Sequence, residues 1–346
     1  MSIAVTLSIP HLLNPLRLKE ANSALAGLKL PALQTMLAKG DIFPAKVQNS
    51  FEQASYLFHQ PKATCYASVM AAAELDDYDG SVYWLRVDPV QMIADRDSLV
   101  LIPARDIAIT EDESLALLEA FNTHFADDRV SLEFASSYCW YLRIVQPIDL
   151  QTHSLESVAY KHIDDCYPTG NAAGYWRKMI NETQMLFFSH PVNESRRERG
   201  MPEINSIWVW GEGQLDQSTM LERENSMVWS DNTYLKGLAK LANAKSAPSP
   251  ESFEFWAGGG ALQDQAVGHH MIQLDPLANT LDNMQEHEWL EALKQLEDAW
   301  LDPMLAALKA KQIDSLLLDL GNGFRYHLKP GHLSRFWRFK KQLSKI

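Results

Sequence analysis

The chain has 346 residues, 46% hydrophobic and 22% charged, enough for a full-sized core and, by length, for about two domains or one domain carrying an insertion. A formal net charge of −13 excludes a general binder of nucleic acid or of anionic membrane, since both functions set Lys and Arg against phosphate. Three cysteines, Cys65, Cys139 and Cys166, with no CxxC or Cys/His ligand spacing, exclude a disulfide framework and fit a reducing compartment.

The amino terminus has no positive residue ahead of its apolar run and no cleavage pattern behind it. No apolar stretch approaches ~18 residues, so the expectation is a soluble cytoplasmic protein without a membrane partner. Residues 3–9 are rich in β-branched side chains and stop at Pro10, which predicts an opening buried strand. Residues 30–40 predict a short helix: Pro31 suits the first helical position, Leu33, Met36 and Leu37 keep helical spacing, and Gly40 stands where the helix ends.

Residues 82–87 and 99–102 read as strands, the second stopped by Pro103. Thr110 lies three residues before Glu113, a capping box that opens an amphipathic helix through Leu115, Leu117, Leu118 and Phe121. Strands follow at 130–134 and 140–145, then a helix over 172–190 and a strand at 207–210 expected to rejoin the main sheet. Residues 287–308 set Leu290, Leu293, Leu296, Trp300, Met304 and Leu308 along a long amphipathic helix, with Trp289 and Trp300 in the core and Pro303 placed to kink or split it. Apolar runs at 315–320 and 324–328 flank Gly321, Asn322 and Gly323, which predicts a hairpin. There is no internal repeat, and residues 244–250 are the nearest thing to a linker.

From 323 to 346 the chain holds seven Lys and Arg, no acid, and the aromatics Phe324, Tyr326, Phe336, Trp337 and Phe339. Such a mixture can bind single-stranded nucleic acid by stacking and charge. The net charge opposes that partner, and the favoured reading packs the aromatics onto the core with the cations facing an acidic body.

Several segments, in order, resemble the archaeal-type cofactor-independent phosphoglycerate mutases of the alkaline-phosphatase-like superfamily. The first strand and residues 30–40 are similar to that family's opening strand and "TPxxDxLAxxG" helix. Residues 84–88 with 107–113 resemble its "RxN" strand, and 190–200 running into 205–213 are very close to "HPVNxxRxxxG" and "NxxWLWGQG". Residues 232–239 look like the helix that follows. The pattern also resembles the RpfE-type regulatory proteins of proteobacteria. The resemblance implies a mixed α/β sheet with helices on both faces and a smaller inserted α+β domain, here a discontinuous core of 1–104 and 206–346 around an insertion of 105–205. It also implies two divalent ions, Mn or Mg, held by Asp and His, with a Ser nucleophile.

The sequence departs from that pattern where the ions would sit. Ile9, Pro10 and His11 replace a terminal Asp-Gly, and the nearest nucleophile candidate, Ser50, lacks its Gly and Asp neighbours. The ligand candidates are His269, Asp275 and Asp319, and the adjacent His269 and His270 point to opposite faces of any strand. Loops at the carboxyl ends of strands in open α/β sheets line the usual crevice, which makes Gly211 and Gly213 candidates for ligand contact. Arg86, Arg143 and Arg196, with Asp88 and Asn193 in the same segments, are candidates for an anion pocket. Three functions remain open: a catalytically degenerate mutase-like protein that is regulatory or binds a phosphorylated small molecule, a working metal-dependent mutase or phosphohydrolase, and a protein-interaction scaffold.

Overall fold

A computed structural model describes residues 2–10, 12–13, 18–19, 25, 27–45, 50–58, 65–96, 98–126, 130–145, 148–215, 222–262, 264, 266–274, 286–340 and 343, with Ser50, Gln53 and Leu57 described by their backbone alone. The chain opens with β1 (Ala4–Ser8), α1 (Pro31–Lys39), β2 (Asp41–Pro44) and α2 (Ser50–Leu57). Next come α3 (Tyr66–Glu74), β3 (Tyr83–Asp95), β4 (Ser98–Pro103), α4 (Glu111–His124), β5 (Leu132–Ser136), β6 (Cys139–Ile144), α5 (Ala173–Phe188), α6 (Pro191–Glu198) and β7 (Ser206–Gly213). The remainder holds β8 (Ser226–Trp229), α7 (Thr233–Leu241), β9 (Lys245–Ala247), β10 (His269–Gln273), α8 (Glu286–Leu296), α9 (Asp302–Lys309), β11 (Ser315–Asp319) and β12 (Phe324–Leu328). Two compact units result, one of Met1–Lys62 with Met220–Ile346 and one of Ala63–Thr219.

The first unit is built on a seven-stranded mixed sheet in the order β2-β12-β11-β1-β10-β8-β9. Strands β11, β1, β10, β8 and β9 run parallel, and the β11–β12 hairpin adds an antiparallel margin that ends on β2. Central β1 is buried along nearly its whole length, as a parallel strand covered on both faces must be. Helix α1 buries Ala32, Leu33, Met36 and Leu37 in a core shared with Leu7, Leu318, Trp289, Leu293 and Trp300. Its amino end has no local side-chain cap; instead Glu297 accepts the amides of Ala32 at 2.5 Å and Leu33 at 3.0 Å. Between α8 and α9 the helix widens into a π turn, Glu297–Leu301, just ahead of Pro303 in the first turn of α9, so the expected break is a change of helical winding. Residues 245–247, read as linker, form the edge strand β9.

The second unit has a five-stranded antiparallel sheet in which the 13-residue β3 is the spine. One of its edges pairs β6 through residues 83–87 and β4 through 90–95, and the other pairs β7. This corrects two expectations. Strand β7 does not rejoin the main sheet, and the inserted unit takes in 63–104 and 206–219 as well as 105–205. All four of Ile207, Trp208, Val209 and Trp210 are buried, so the run reads as a central strand of any sheet and carries no mark of which one. The capping box of α4 is present in both directions, Glu113 N to Thr110 Oγ1 at 3.3 Å and Thr110 N to Glu113 Oε2 at 3.1 Å.

Candidate functional site

In the first unit the parallel strands align their carboxyl ends, the place where open α/β sheets bind ligands. Ser8 of β1 stands in register with Asp319 of β11 on one side and Gln273 of β10 on the other, and Trp229 ends β8 one strand further along. Asp319 is buried and accepts from Arg325 Nε at 2.7 Å across the hairpin. The Arg325 guanidinium in turn lies 3.2 Å from the centroid of the Tyr56 ring, and Asn322 in the turn donates to Tyr326 Oη at 2.9 Å. Ser8 Oγ, fully buried, makes no hydrogen bond to any described residue. Beyond β8, Ser230 Oγ accepts the Asn232 amide at 3.0 Å, and Tyr234 shares a 2.8 Å hydrogen bond with Ser55.

Among the described residues this edge offers a hydroxyl, an amide and one carboxylate already engaged by a guanidinium, a donor set that does not fit a pair of divalent ions, which require several converging carboxylates and imidazoles. No cluster of three His, Cys, Asp or Glu able to hold an ion occurs among the described residues. His269 and Asp319 cannot serve one ion. His269 is level with Ala4 at the amino end of the sheet and Asp319 with Ser8 at the other, four residues apart or roughly 13 Å at about 3.3 Å per residue. His269 Nε2 instead lies 2.9 Å from Thr6 Oγ1. His270 faces the other way into the core, where Trp229 donates to its Nδ1 at 3.2 Å and burial lowers its pKa, keeping it neutral. Asp275, His11 and the side chain of Ser50 lie outside the described residues.

In the second unit the three candidate arginines are separately paired rather than gathered. Arg86 Nε bonds Asp88 Oδ1 at 2.9 Å, and Asp88 Oδ2 accepts the Trp210 indole at 2.5 Å. Burial pushes the Asp88 carboxyl up, against the lowering influence of Arg86 and Trp210. Arg143 extends from β6 to Asp79 at 2.8 Å, half-exposed. Arg196 is fully buried and donates to Pro202 O, Glu113 Oε2 and Ile107 O at 2.6, 2.6 and 2.5 Å. Asn193, also fully buried, donates to Phe187 O and Ile204 O and accepts the Ile204 amide. These two motif residues clamp α6 and the 199–204 loop against the start of α4.

Gly211, Glu212 and Gly213, the last residues of β7 rather than a turn, border a cleft of about 310 Å³ with Cys65, Tyr83, Thr152, Ser154 and Trp210 among its walls. Both glycines are required by close approach. A Cβ on Gly211 would meet Ala67 N at 3.0 Å, one on Gly213 would meet Cys65 Sγ at 2.7 Å, and both have positive φ. Thr152 Oγ1 accepts the Gly211 amide at 3.1 Å and donates to the Glu212 carboxylate. Among the described residues its wall holds Glu212 and no Lys or Arg, a charge that repels rather than attracts phosphate. Arg86, Asp88, Gly211 and Gly213 thus do come together around Trp210, whereas Arg143, Asn193 and Arg196 stand elsewhere.

Ser8 and Tyr56 belong to no sequence motif, and Arg325 is one of the seven cations of the terminal segment. The signal for Arg325 was available: a hairpin turning at 321–323 sets 325 directly opposite 319, an acid–base cross-strand pair.

No protein-family model matches the chain. Its sequence is 27% identical over 139 residues to the 2,3-bisphosphoglycerate-independent phosphoglycerate mutase of Methanosarcina barkeri, covering 39% of this chain and 35% of that protein. It is 22% identical over 212 residues to the enzyme of the same name from Methanosarcina acetivorans, covering 56% and 50%. A probable mutase of Geobacter sulfurreducens matches at 24% over 218 residues, covering 58% and 52%. The chain is related, at low identity, to these mutases. It spans about half the length, or less, of the curated relatives it matches.

In fold it is similar to the PH0037 protein of Pyrococcus horikoshii, with a TM-score of 0.62 at 13% identity over 99% of this chain and 92% of that one. It is likewise similar to the cofactor-independent phosphoglycerate mutase of Thermoplasma acidophilum, with a TM-score of 0.52 at 12% identity over 99% and 94%. The mixed α/β architecture expected from the resemblance is therefore that of the mutases. No helix among the described residues is long and apolar enough to cross a membrane.

Proposed function

We propose that this chain is a phosphoglycerate-mutase-like protein that has lost metal-dependent phosphotransfer and acts by binding, as a regulatory protein of the cytoplasm. The observation that carries this reading is the Asp319–Arg325 pair at the carboxyl edge of the main sheet, flanked in register by Ser8 and Gln273. A buried guanidinium stacked on Tyr56 supplies a fixed positive charge there, and bringing a divalent cation to Asp319 would set like charges against each other in a dry site. On this reading the chain stands with the RpfE-type regulatory proteins it resembles.

A phosphorylated small molecule is a weaker candidate for what is bound, because Arg86, Arg143 and Arg196 each already face a carboxylate. The test is purified protein assayed for interconversion of 3- and 2-phosphoglycerate with Mn or Mg supplied, alongside metal analysis of the protein as isolated. The expected result is no turnover and no stoichiometric metal. Turnover that disappears with a chelator overturns the reading in favour of a working mutase or phosphohydrolase.

A further inference from the structure

At the open margin of the first unit, where β2 ends the sheet, a groove of about 710 Å³ is lined by Leu37 and Ala38 of α1, Ile42 of β2, Tyr326 of β12, and Trp337 and Phe339 of the terminal segment. Of the aromatics expected in the core Tyr326 is buried there, but the terminal rings are not: Phe336, Trp337 and Phe339 are 80%, 60% and 81% exposed, and Ile42, Phe43 and Phe324 around them are exposed as well. This display does not come from a loose tail. Asp41 holds Arg335 at 2.6 Å and Arg338 at 3.5 Å, Arg335 and Arg338 also donate to the carbonyl of Lys39, and Leu343 beyond the aromatics is buried in the core. The segment is pinned on both sides of three rings it holds in water, forgoing the stabilisation their burial would give.

Arg338 and Lys340 stand in the wall of the groove and, among the described residues, no carboxylate does; Asp41 beside it is shared by Arg335 and Arg338, which leaves a positive excess. In a chain of net charge −13, this is a place where cations dominate. A concave apolar surface with cations at its margin matches a peptide that carries apolar anchors and carboxylates together. A nucleic-acid strand is served less well. Aliphatic Leu37, Ala38 and Ile42 share the concavity with the rings, and the acidic remainder of the chain repels a polyphosphate.

We propose that this groove is the docking site for a short acidic segment of another protein, its apolar side chains seated among Trp337, Phe339 and Ile42 and its carboxylates facing Arg338 and Lys340. The inference goes beyond the loss of phosphotransfer and holds whether or not the chain turns over phosphoglycerate. The test is fluorescence anisotropy of the full chain with a labelled short peptide in which Glu alternates with Leu and Phe. Binding is expected to saturate, to weaken with salt, to weaken at least about tenfold in Trp337→Ala and independently in Lys340→Glu, and to vanish for the same peptide with Lys in place of Glu. Both substitutions are at the surface, and unchanged circular dichroism and melting temperature would verify the fold. The proposal is overturned by absence of saturable binding, by binding that survives both substitutions, by tighter binding of an oligothymidylate, or by light scattering that shows the groove closing on a second copy and reopening in Trp337→Ala.

Discussion

Replacing Arg325 with Met tests whether the guanidinium is what makes the edge of the main sheet stable. The substitution keeps most of the side-chain volume and removes the charge that hydrogen-bonds Asp319 across the hairpin, at 2.7 Å between side chains that are 7% and 8% exposed. Leaving a carboxylate buried without its cation costs about 3–5 kcal/mol, and loss of the cation over the Tyr56 ring, worth about 0.5–2 kcal/mol, is part of the same change. Removing both charges, Asp319→Leu with Arg325→Met, is expected to recover most of the loss, because a buried pair replaced by apolar groups of similar size is often close to neutral. Urea unfolding at pH 7, followed by tryptophan fluorescence, gives the four corners of the cycle, with a coupling of about 3 kcal/mol expected. A cost under about 1 kcal/mol for the single Met variant, or a double variant no more stable than it, would refute the reasoning.

Arg196→Met should destabilise the second unit by about 3–5 kcal/mol, since it removes a fully buried cation that ties Glu113, Ile107 and Pro202 together; a melting temperature within error of the parent's would contradict this. Acid should weaken the same clamp. Burial raises the Glu113 carboxyl pKa, but the Thr110 amide and the Arg199 and Arg196 guanidiniums outweigh it and hold the group below its ordinary value. The stability it contributes is therefore complete above the unfolded value of about 4.3 and is lost as pH falls through the lowered folded value, so Glu113→Gln should melt earlier at pH 7 and show a flatter profile below about pH 4. Gly213→Ala, at φ +147° with Cys65 Sγ 2.7 Å from the new carbon, should cost about 1–3 kcal/mol, read as an earlier urea midpoint.

Much of the local structure was legible because it depends on near neighbours in the chain. Pro31 and Gly40 bracket α1, Thr110 and Glu113 cap α4 on each other, and Gly321, Asn322 and Gly323 turn the β11–β12 hairpin, each through contacts a few residues long. Departure from the mutase pattern was legible too, as Ile9 and Pro10 where an acid and a glycine are expected. Sheet membership was not: β7 is apolar on both faces, and only its pairing with the far edge of β3 assigns it to the second unit. Arg196 and Asn193 looked like ligand groups because a polar motif, here on α6, carries no sign of whether its partner is solvent, substrate or backbone. Folding brought Ile107, Pro202, Phe187 and Ile204 to them. The terminal rings ran the other way, predicted inside by their hydrophobicity and held outside because Asp41 and the core anchor of Leu343 fix the backbone on either side of them. Periodicity and capping act over a few residues and can be read along the chain, whereas the partner of a buried charge or the exposure of a ring is set by packing between segments, from Arg196 with Glu113 83 residues away to Asp41 with Arg335 294 residues away.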